Sequence, residues 1–494
     1  MLDLQTIKKL NDKQAGFFRF KKFENDNYLL TNDIGHYIFL PETDFKKYIH
    51  GRLDKKSKLY QKLKQKLFIK DEDYLKNFIW QYRQRNSFLK YGPSLHIVVV
   101  TLRCNHRCIY CHASAATCKD KKYDMDLKTA KLVVDTIFKS NNNAICIEFQ
   151  GGEPLLNWPV VEFIINYAQE KNKLEKKNLI FRLVSNFTLL DQKKMNFLMT
   201  NEVNFCTSLD GDESTHNYNR IFTDGNSYKE TVKWIKKINQ AYKDKYKGKK
   251  KNYYRVGALI TVTRKTLANY KQVIDTYIKL GFRNIYLRYL NPFGFALQAK
   301  EKIWYNPKEY IDFYKKAFDY ILEKNYQGRH FYESMAATYL RKILNQEEPN
   351  NLDFRSPCGA VIGQLAYNYN GDVYTCDEGR MIARMGGDEM FKLGNIKKNS
   401  LEELINNDLC KSVCFASCVD GLPGFSENVY KPYLGICPVY NYSVHGNIFP
   451  AMKNNFRWQI DEAIVEYLFT KLQNRKNQDI FQEWVKKSKP PIPK

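Results

Sequence analysis

The chain has 494 residues, 44% apolar and 27% charged, with only 24 glycines and 15 prolines, a composition that excludes a fibrous or disordered protein and predicts two or three packed domains. Its 79 basic against 53 acidic side chains leave +26, but lysine is spread along the whole chain beside abundant asparagine, which argues against nucleic acid as the partner. No window approaches the roughly 18 to 20 uncharged apolar residues that cross a bilayer, and the opening Met1-Leu-Asp-Leu-Gln-Thr lacks a signal peptide's apolar stretch, so no membrane contact and a cytoplasmic location are expected.

Residues 17–90 contain two strand-like runs, Asn27 to Thr31 and His36 to Leu40, split by the turn Asn-Asp-Ile-Gly. Helical patterns follow, one with Thr43 and Asp44 as candidate caps, the next with Leu59, Leu63 and Leu67 at four-residue spacing. From Leu95 to about Leu290, apolar strands (His96–Leu102, Ala144–Phe149, Leu179–Val184, Val203–Leu209, Val256–Val262, Asn284–Leu290) alternate with helix-like segments, which predicts an α/β parallel sheet, open or rolled into a partial barrel. Ligands then sit where the strands end. The lysine- and tyrosine-rich run Lys243 to Arg255 reads as a solvated connecting loop. The pattern breaks at Gln346-Glu-Glu-Pro-Asn-Asn351, and six of the twelve cysteines lie beyond it.

Twelve clustered cysteines argue against a disulfide scaffold and for metal ligation or thiol chemistry. Cys104, Cys108 and Cys111 follow the first barrel strand directly. Three thiolates at that spacing suit a zinc ion with His106 or His112 as fourth ligand, or a four-iron cubane with one iron open to substrate or cofactor. The second strand runs into Gly151-Gly152-Glu153-Pro154, in which two glycines let backbone approach a ligand and a glutamate can accept hydrogen bonds from an ammonium group. Ser185-Asn186, Asp210-Gly211 and Arg288 lie at later strand ends. Asp210 and Glu148 are candidate acid or base groups, whereas Cys118, Cys146 and Cys206 read as core or incidental cysteines.

Cys-x3-Cys-x2-Cys with aromatic Tyr110 before the third cysteine, followed by Gly-Gly-Glu-Pro, resembles the signature of the radical S-adenosylmethionine (SAM) superfamily. The resemblance implies a partial (β/α)6 TIM-like barrel and a [4Fe-4S] cluster on Cys104, Cys108 and Cys111, whose open iron is chelated by SAM. Reductive cleavage of SAM then gives a 5'-deoxyadenosyl radical that abstracts hydrogen from substrate. It also places Tyr110 near the adenine, Gly151, Gly152, Glu153 and Pro154 at the methionine end, and Ser185, Asn186 and Arg288 at ribose and carboxylate.

Cys358, Gly371 and Cys376, with twelve and four residues between them, resemble the first half of a SPASM auxiliary-cluster domain. The second half departs from that pattern. Phe425, Asn428, Leu434 and Trp458 stand where further cysteines are expected, and only Cys437 remains. This degenerate SPASM pattern implies one auxiliary iron-sulfur cluster on Cys358, Cys376 and Cys437, with Cys418 or Cys414 as fourth ligand or the site left open, and loss of the second cluster. Cys410, Cys414 and Cys418 are spaced for one helical face, with buried small side chains as the other reading.

Over nearly the whole chain, stretches such as Phe17-Phe-Arg-Phe20, Leu95 to His106, Leu287 to Gly294 and Cys437 to Tyr442 resemble the His-Xaa-Ser system radical SAM maturases. That resemblance implies a ribosomally made precursor peptide as substrate, a second radical SAM protein as companion, and a flavodoxin- or ferredoxin-type electron donor. Residues 1–92 are similar to winged-helix peptide-recognition modules, which add a leader peptide as a strand; a small packed cap is the other reading. The expected divisions are 1–92, the barrel 93–345, the SPASM-like region 346–455 and a helical tail 456–494. The alternatives are formylglycine-type sulfatase maturation, an escort subunit presenting peptide to a partner, and a zinc protein binding nucleic acid.

Overall fold

The computed structural model describes residues 14–488 apart from 25, 248–255, 351 and 451–454. The opening residues, most of the Lys243 to Arg255 run and the final Pro-rich tail therefore lie wholly or largely outside the described residues. Three antiparallel strands come first, β1 (Arg19–Lys22), β2 (Asn27–Thr31) and β3 (Tyr37–Pro41), in the order β1-β2-β3. The sequence reading finds β2 and β3 but misses β1, a four-residue edge strand in which two lysines mask the alternation. Helices α1 (Glu42–Ile49), α2 (Lys58–Gln65) and α3 (Tyr74–Arg85) follow. Thr43 and Asp44 are not caps: α1 starts after Pro41, which has no side chain to offer, and both residues lie in its first turn. Tyr28, Leu30, Ile38 and Leu40 form one sheet face, packed on Phe45, Tyr48 and Leu63 of the helices.

The long sheet begins with β4 (Leu95–Thr101), β5 (Ala144–Gly151), β6 (Asn178–Ser185), β7 (Asn204–Ser208), β8 (Gly257–Thr261) and β9 (Leu287–Arg288). They lie side by side in chain order, all parallel. Helices such as α4 (Leu127–Phe138), α5 (Trp158–Glu175) and α6 (Gln192–Thr200) return the chain between strands. Along β5 the exposed-side residues are Cys146, Glu148 and Gln150, and along β7 they are Asn204, Cys206 and Ser208, the period of two expected of strands. Side chains from all six strands, including Ile97, Glu148, Arg182, Cys206, Leu259 and Arg288, line one cavity of about 510 Å³. The sheet is thus curled into a partial barrel with that cavity inside it.

The last region does not stand apart from the barrel. Strand β10 (Gln364–Tyr367) pairs in parallel with β4, and β11 (Asp372–Tyr374) and β12 (Lys392–Asn395) continue the same sheet antiparallel, making nine strands. Helix α7 (Asp377–Gly386) leaves β11 through Cys376, its N-cap, and helix α8 (Asp408–Ala416) ends before Cys418, so Cys410, Cys414 and Cys418 do not share one helix. The final helices α9 (Phe456–Leu472) and α10 (Arg475–Ser488) pack on the preceding helices 307–326 and 334–345 and are part of the body. Phe469 of α9 also meets Tyr37 and Phe39 on the outer face of the amino-terminal sheet. Among the described residues no helix is long and apolar enough to cross a membrane.

Candidate active site

The loop after β4 carries Cys104, Cys108 and Cys111, and all three line one pocket with Tyr110, Gly151, Gly152 and Glu153. The two glycines are required by their neighbours. A Cβ on Gly151 would lie 2.2 Å from the Thr101 carbonyl oxygen, and one on Gly152 would lie 2.1 Å from that of Arg103. Gly151 also holds φ at +131°, where side chains are strained. The Gly152 and Glu153 amides donate to those same carbonyls at 3.0 and 2.7 Å, which fixes the turn against the start of the cysteine loop. Gly294 does the same from the other side, where a Cβ would meet the Cys111 carbonyl at 2.2 Å.

Glu153 is fully buried and accepts from the Ser185 hydroxyl (2.7 Å), the Asn186 amide (2.8 Å) and the Leu155 amide (3.1 Å). Burial pushes its carboxyl up to about 7, against those hydrogen bonds. Ser185 and Asn186 are thereby tied to Glu153, and Asn186 also donates to His106 Nδ1 (3.0 Å). Pro154 opens the short helical turn behind the pocket and is buried. His106 Nε2 bonds Ser227 Oγ at 2.9 Å, so both its ring nitrogens are committed and it is not available as a fourth zinc ligand. Burial pushes the Cys108 thiol up to about 12, with Arg220 pulling the other way, and pushes the Cys104 thiol up as well, which suits donors that ionise on meeting a metal.

Asp210 is not free for acid-base work. It is fully buried, accepts from the Tyr110 hydroxyl and the Thr261 amide, and pairs with Arg220 at 3.1 Å. Arg220 in turn donates to Cys108 Sγ at 3.7 Å and lies over the Tyr110 ring. Sequence reasoning missed this arginine, although it follows the Asp210-Gly211 strand end by ten residues and could have been sought as the cation of an anion-binding pocket. Glu148 pairs with Arg182 at 3.6 Å inside the barrel. Cys146 and Cys206, read as core or incidental, alternate with core residues on the cavity-facing side of their strands, and Cys206 lines the interior cavity. Cys118 is exposed.

The cysteine pocket and the interior cavity share Gln150, Val184, Leu259, Arg288 and Met381 as lining residues, so they adjoin. Met381 comes from α7, which places the last region over the barrel mouth. Arg288 faces this junction and pairs with Glu378 of α7 at 3.4 Å. Beyond it, Cys358, Cys376, Cys437 and Glu378 line a small cavity with Leu352 and Arg457, and Leu352, Glu378 and Arg457 also line the interior cavity, so the two adjoin. Burial raises the Cys358 thiol to about 11 and pushes those of Cys376 and Cys437 well up too. Cys414 and Cys418 do not line that cavity. The expected positions of further cysteines are filled: Phe425, Leu434 and Trp458 are 2%, 1% and 3% exposed, and the Phe425 and Trp458 rings pack edge to face at 4.5 Å. Asn428 donates to Glu462 at 2.7 Å.

An inward-curled parallel barrel, with thiols at the end of its first strand and a glycine turn at the end of its second, defines a cofactor enzyme of the SAM-dependent radical class. Residues 98–254 match the radical SAM superfamily and residues 358–437 match the SPASM iron-sulfur cluster-binding domain. An uncharacterized protein of Methanocaldococcus jannaschii is 30% identical over 57% of this chain and 83% of its own length. A cysteine-type anaerobic sulfatase-maturating enzyme of Clostridium perfringens is 27% identical over 64% of this chain and 80% of its own. The structure of native anSMEcpe with bound AdoMet and Cp18Cys peptide shares the fold, with TM-score 0.65 and 21% identity over 78% of this chain and 100% of that one. The chain belongs to the radical SAM superfamily, with a SPASM region, and is an enzyme that uses SAM and a [4Fe-4S] cluster. That membership replaces the zinc reading of the cysteine loop: His106 is committed, and His112 lines the same pocket with a buried Nε2 that has no hydrogen-bond partner among the described residues.

Proposed function

We propose that this enzyme is a maturase of the His-Xaa-Ser type, acting on a residue of a ribosomally made precursor peptide. The observation that carries the reading is that the three-thiol pocket adjoins an interior cavity roofed by α7, with five lining residues in common, so a side chain held in that cavity lies next to the pocket. Cys104, Cys108 and Cys111 would hold the cluster, and with SAM bound it supplies a 5'-deoxyadenosyl radical that abstracts hydrogen from the peptide. The turn Gly151 to Pro154 offers backbone to the methionine end, and Tyr110 walls the pocket. Arg220, oriented by Asp210 and lining the pocket, is better placed than Arg288 to face a carboxylate, because Arg288 is drawn to Glu378. Ser185 and Asn186 act through Glu153, holding the turn in place.

We place one auxiliary cluster on Cys358, Cys376 and Cys437, which line one cavity, and the packed Phe425, Leu434 and Trp458 speak against a second. The divisions at 92 and 345 follow the change from antiparallel sheet to barrel and then to the cysteine-rich region, whereas the helices after 455 pack back on the body. The amino-terminal sheet, with β1 as a short edge, supports leader-peptide addition as a fourth strand, and the basic surface favours an acidic leader. A flavodoxin- or ferredoxin-type donor would supply the electron, with a second radical SAM protein as companion and a cytoplasmic setting.

The test is 5'-deoxyadenosine formed from SAM by the reduced, anaerobically reconstituted protein alone. Formation that is lost in Cys104/Cys108/Cys111→Ala is expected; no product from the native chain would favour an escort subunit instead. Formylglycine-type maturation is a second reading, favoured by the 27% likeness to the sulfatase-maturating enzyme. An aldehyde appearing on a cysteine-containing sulfatase peptide, with the precursor peptide unchanged, would decide for it.

A further inference from the structure

We propose that Glu378 is the fourth protein ligand of the cluster held by Cys358, Cys376 and Cys437, so that no position on that cluster is open to substrate. The proposal rests on the reading that these three cysteines hold a cluster. Glu378 lies two residues after Cys376 in the first turn of α7, and its carboxyl lines the same small cavity as the three sulfurs. One oxygen, Oε1, is spoken for by Arg288 at 3.4 Å. The other, Oε2, is buried and has no hydrogen-bond partner in the structure.

A buried carboxylate oxygen without a partner costs on the order of 1–3 kcal/mol or more. A cation in the cavity would give that oxygen a partner and join it with the three sulfurs in one donor set. Carboxylate oxygen is a hard donor that accepts iron, and Arg288 on the far oxygen would fix which atom ligates. The rest of the lining is apolar, as at Leu352 and Val439, or cationic, as at Arg457, so Glu378 is the remaining anionic donor among the described lining residues. Neither of the two cysteines that could have competed lines the cavity: Cys418 is beyond the end of α8, and Cys414, although near enough to Cys358 to act on its thiol, is not among the lining residues.

The experiment uses the full chain carrying Cys104/Cys108/Cys111→Ala, so that only the auxiliary cluster remains, reconstituted anaerobically, reduced, and read by electron paramagnetic resonance with and without excess imidazole. With Glu378 present, imidazole is expected to leave the spectrum unchanged. Glu378→Ala is expected to shift it and make it respond to imidazole, and Glu378→Cys is expected to restore an unresponsive spectrum with full iron content. If Glu378→Ala loses iron altogether, recovery of that iron by Glu378→Cys still supports ligation. A spectrum that responds to imidazole with Glu378 in place, or one that Glu378→Ala does not alter, overturns the proposal and leaves the cluster standing. No iron in the triple-alanine chain overturns the cluster and the proposal together.

Discussion

Two halves of the last region began from the same expectation, cysteines around an iron-sulfur cluster, and the structure treats them oppositely. Around Cys358, Cys376 and Cys437 the chain keeps a cavity. Around Phe425, Leu434 and Trp458 it closes into solid packing, with aromatic rings where thiols were expected. Helix α9 serves both halves, presenting Arg457 to the cavity and Trp458 to the packing. The comparison teaches that what fills a volume says more about it than which ligands are missing. It also shows what the filled half now does. Thr31 donates to the Val429 carbonyl at 2.6 Å, Tyr433 donates to the Gly35 carbonyl at 3.0 Å, and Asp33 pairs with Lys431 at 2.7 Å and Arg19 at 2.8 Å. The packed stretch has become the seat of the amino-terminal sheet.

The sharpest way to break the comparison is to empty the cavity half. Cys358/Cys376/Cys437→Ala is expected to lose about four of about eight irons per chain while 5'-deoxyadenosine formation survives; iron analysis showing no change would mean the two halves are alike after all. Next comes the packed half. Phe425→Ala leaves a hole beside Trp458 and is expected to cost about 3–5 kcal/mol in denaturant unfolding, with iron content unchanged. A smaller effect sharpens the role of α9. Burial raises the Asp461 carboxyl to about 7, although Arg457 pulls it down, so the folded chain holds that proton more tightly than the unfolded one. That contribution is complete below about pH 4 and is lost as pH rises through about 7, a change of up to about 3 kcal/mol between pH 5 and 7. Asp461→Asn is expected to flatten the fall in apo-protein melting temperature over that window. Glu153, raised for the same reason, contributes a parallel slope and remains in the variant.

Much of this architecture was legible beforehand because strand periodicity and loop chemistry are local. Six barrel strands fall within a few residues of their expected ranges, and the three pocket cysteines and the glycine turn meet as neighbouring strand ends require. What was hidden depends on contacts distant in sequence. Nothing near Gly151 announces that its missing side chain makes room for Thr101. Arg220 gains meaning only beside Cys108 and Asp210, and Glu378 only beside cysteines brought from three separate stretches. Cys206 looked like core because alternation marks two faces without saying that the second lines a cavity.

The pairing of β4 with β10 has a consequence for how the molecule is made. Leu95 lies opposite Gln364, so the strand that leads into the first cysteine loop meets its second neighbour only after some 269 further residues, 364 minus 95, have emerged. Until then β4 is an open edge on a growing chain, with Val98, Val99 and Val100 in sequence beside it, the kind of edge that recruits other strands. Contacts of such long range are slow to form and leave partly folded chains exposed to aggregation. A polypeptide stopped near residue 345 would keep every pocket cysteine and glycine yet leave that edge bare. The carboxy-terminal third is therefore a condition for the earlier two-thirds to finish folding.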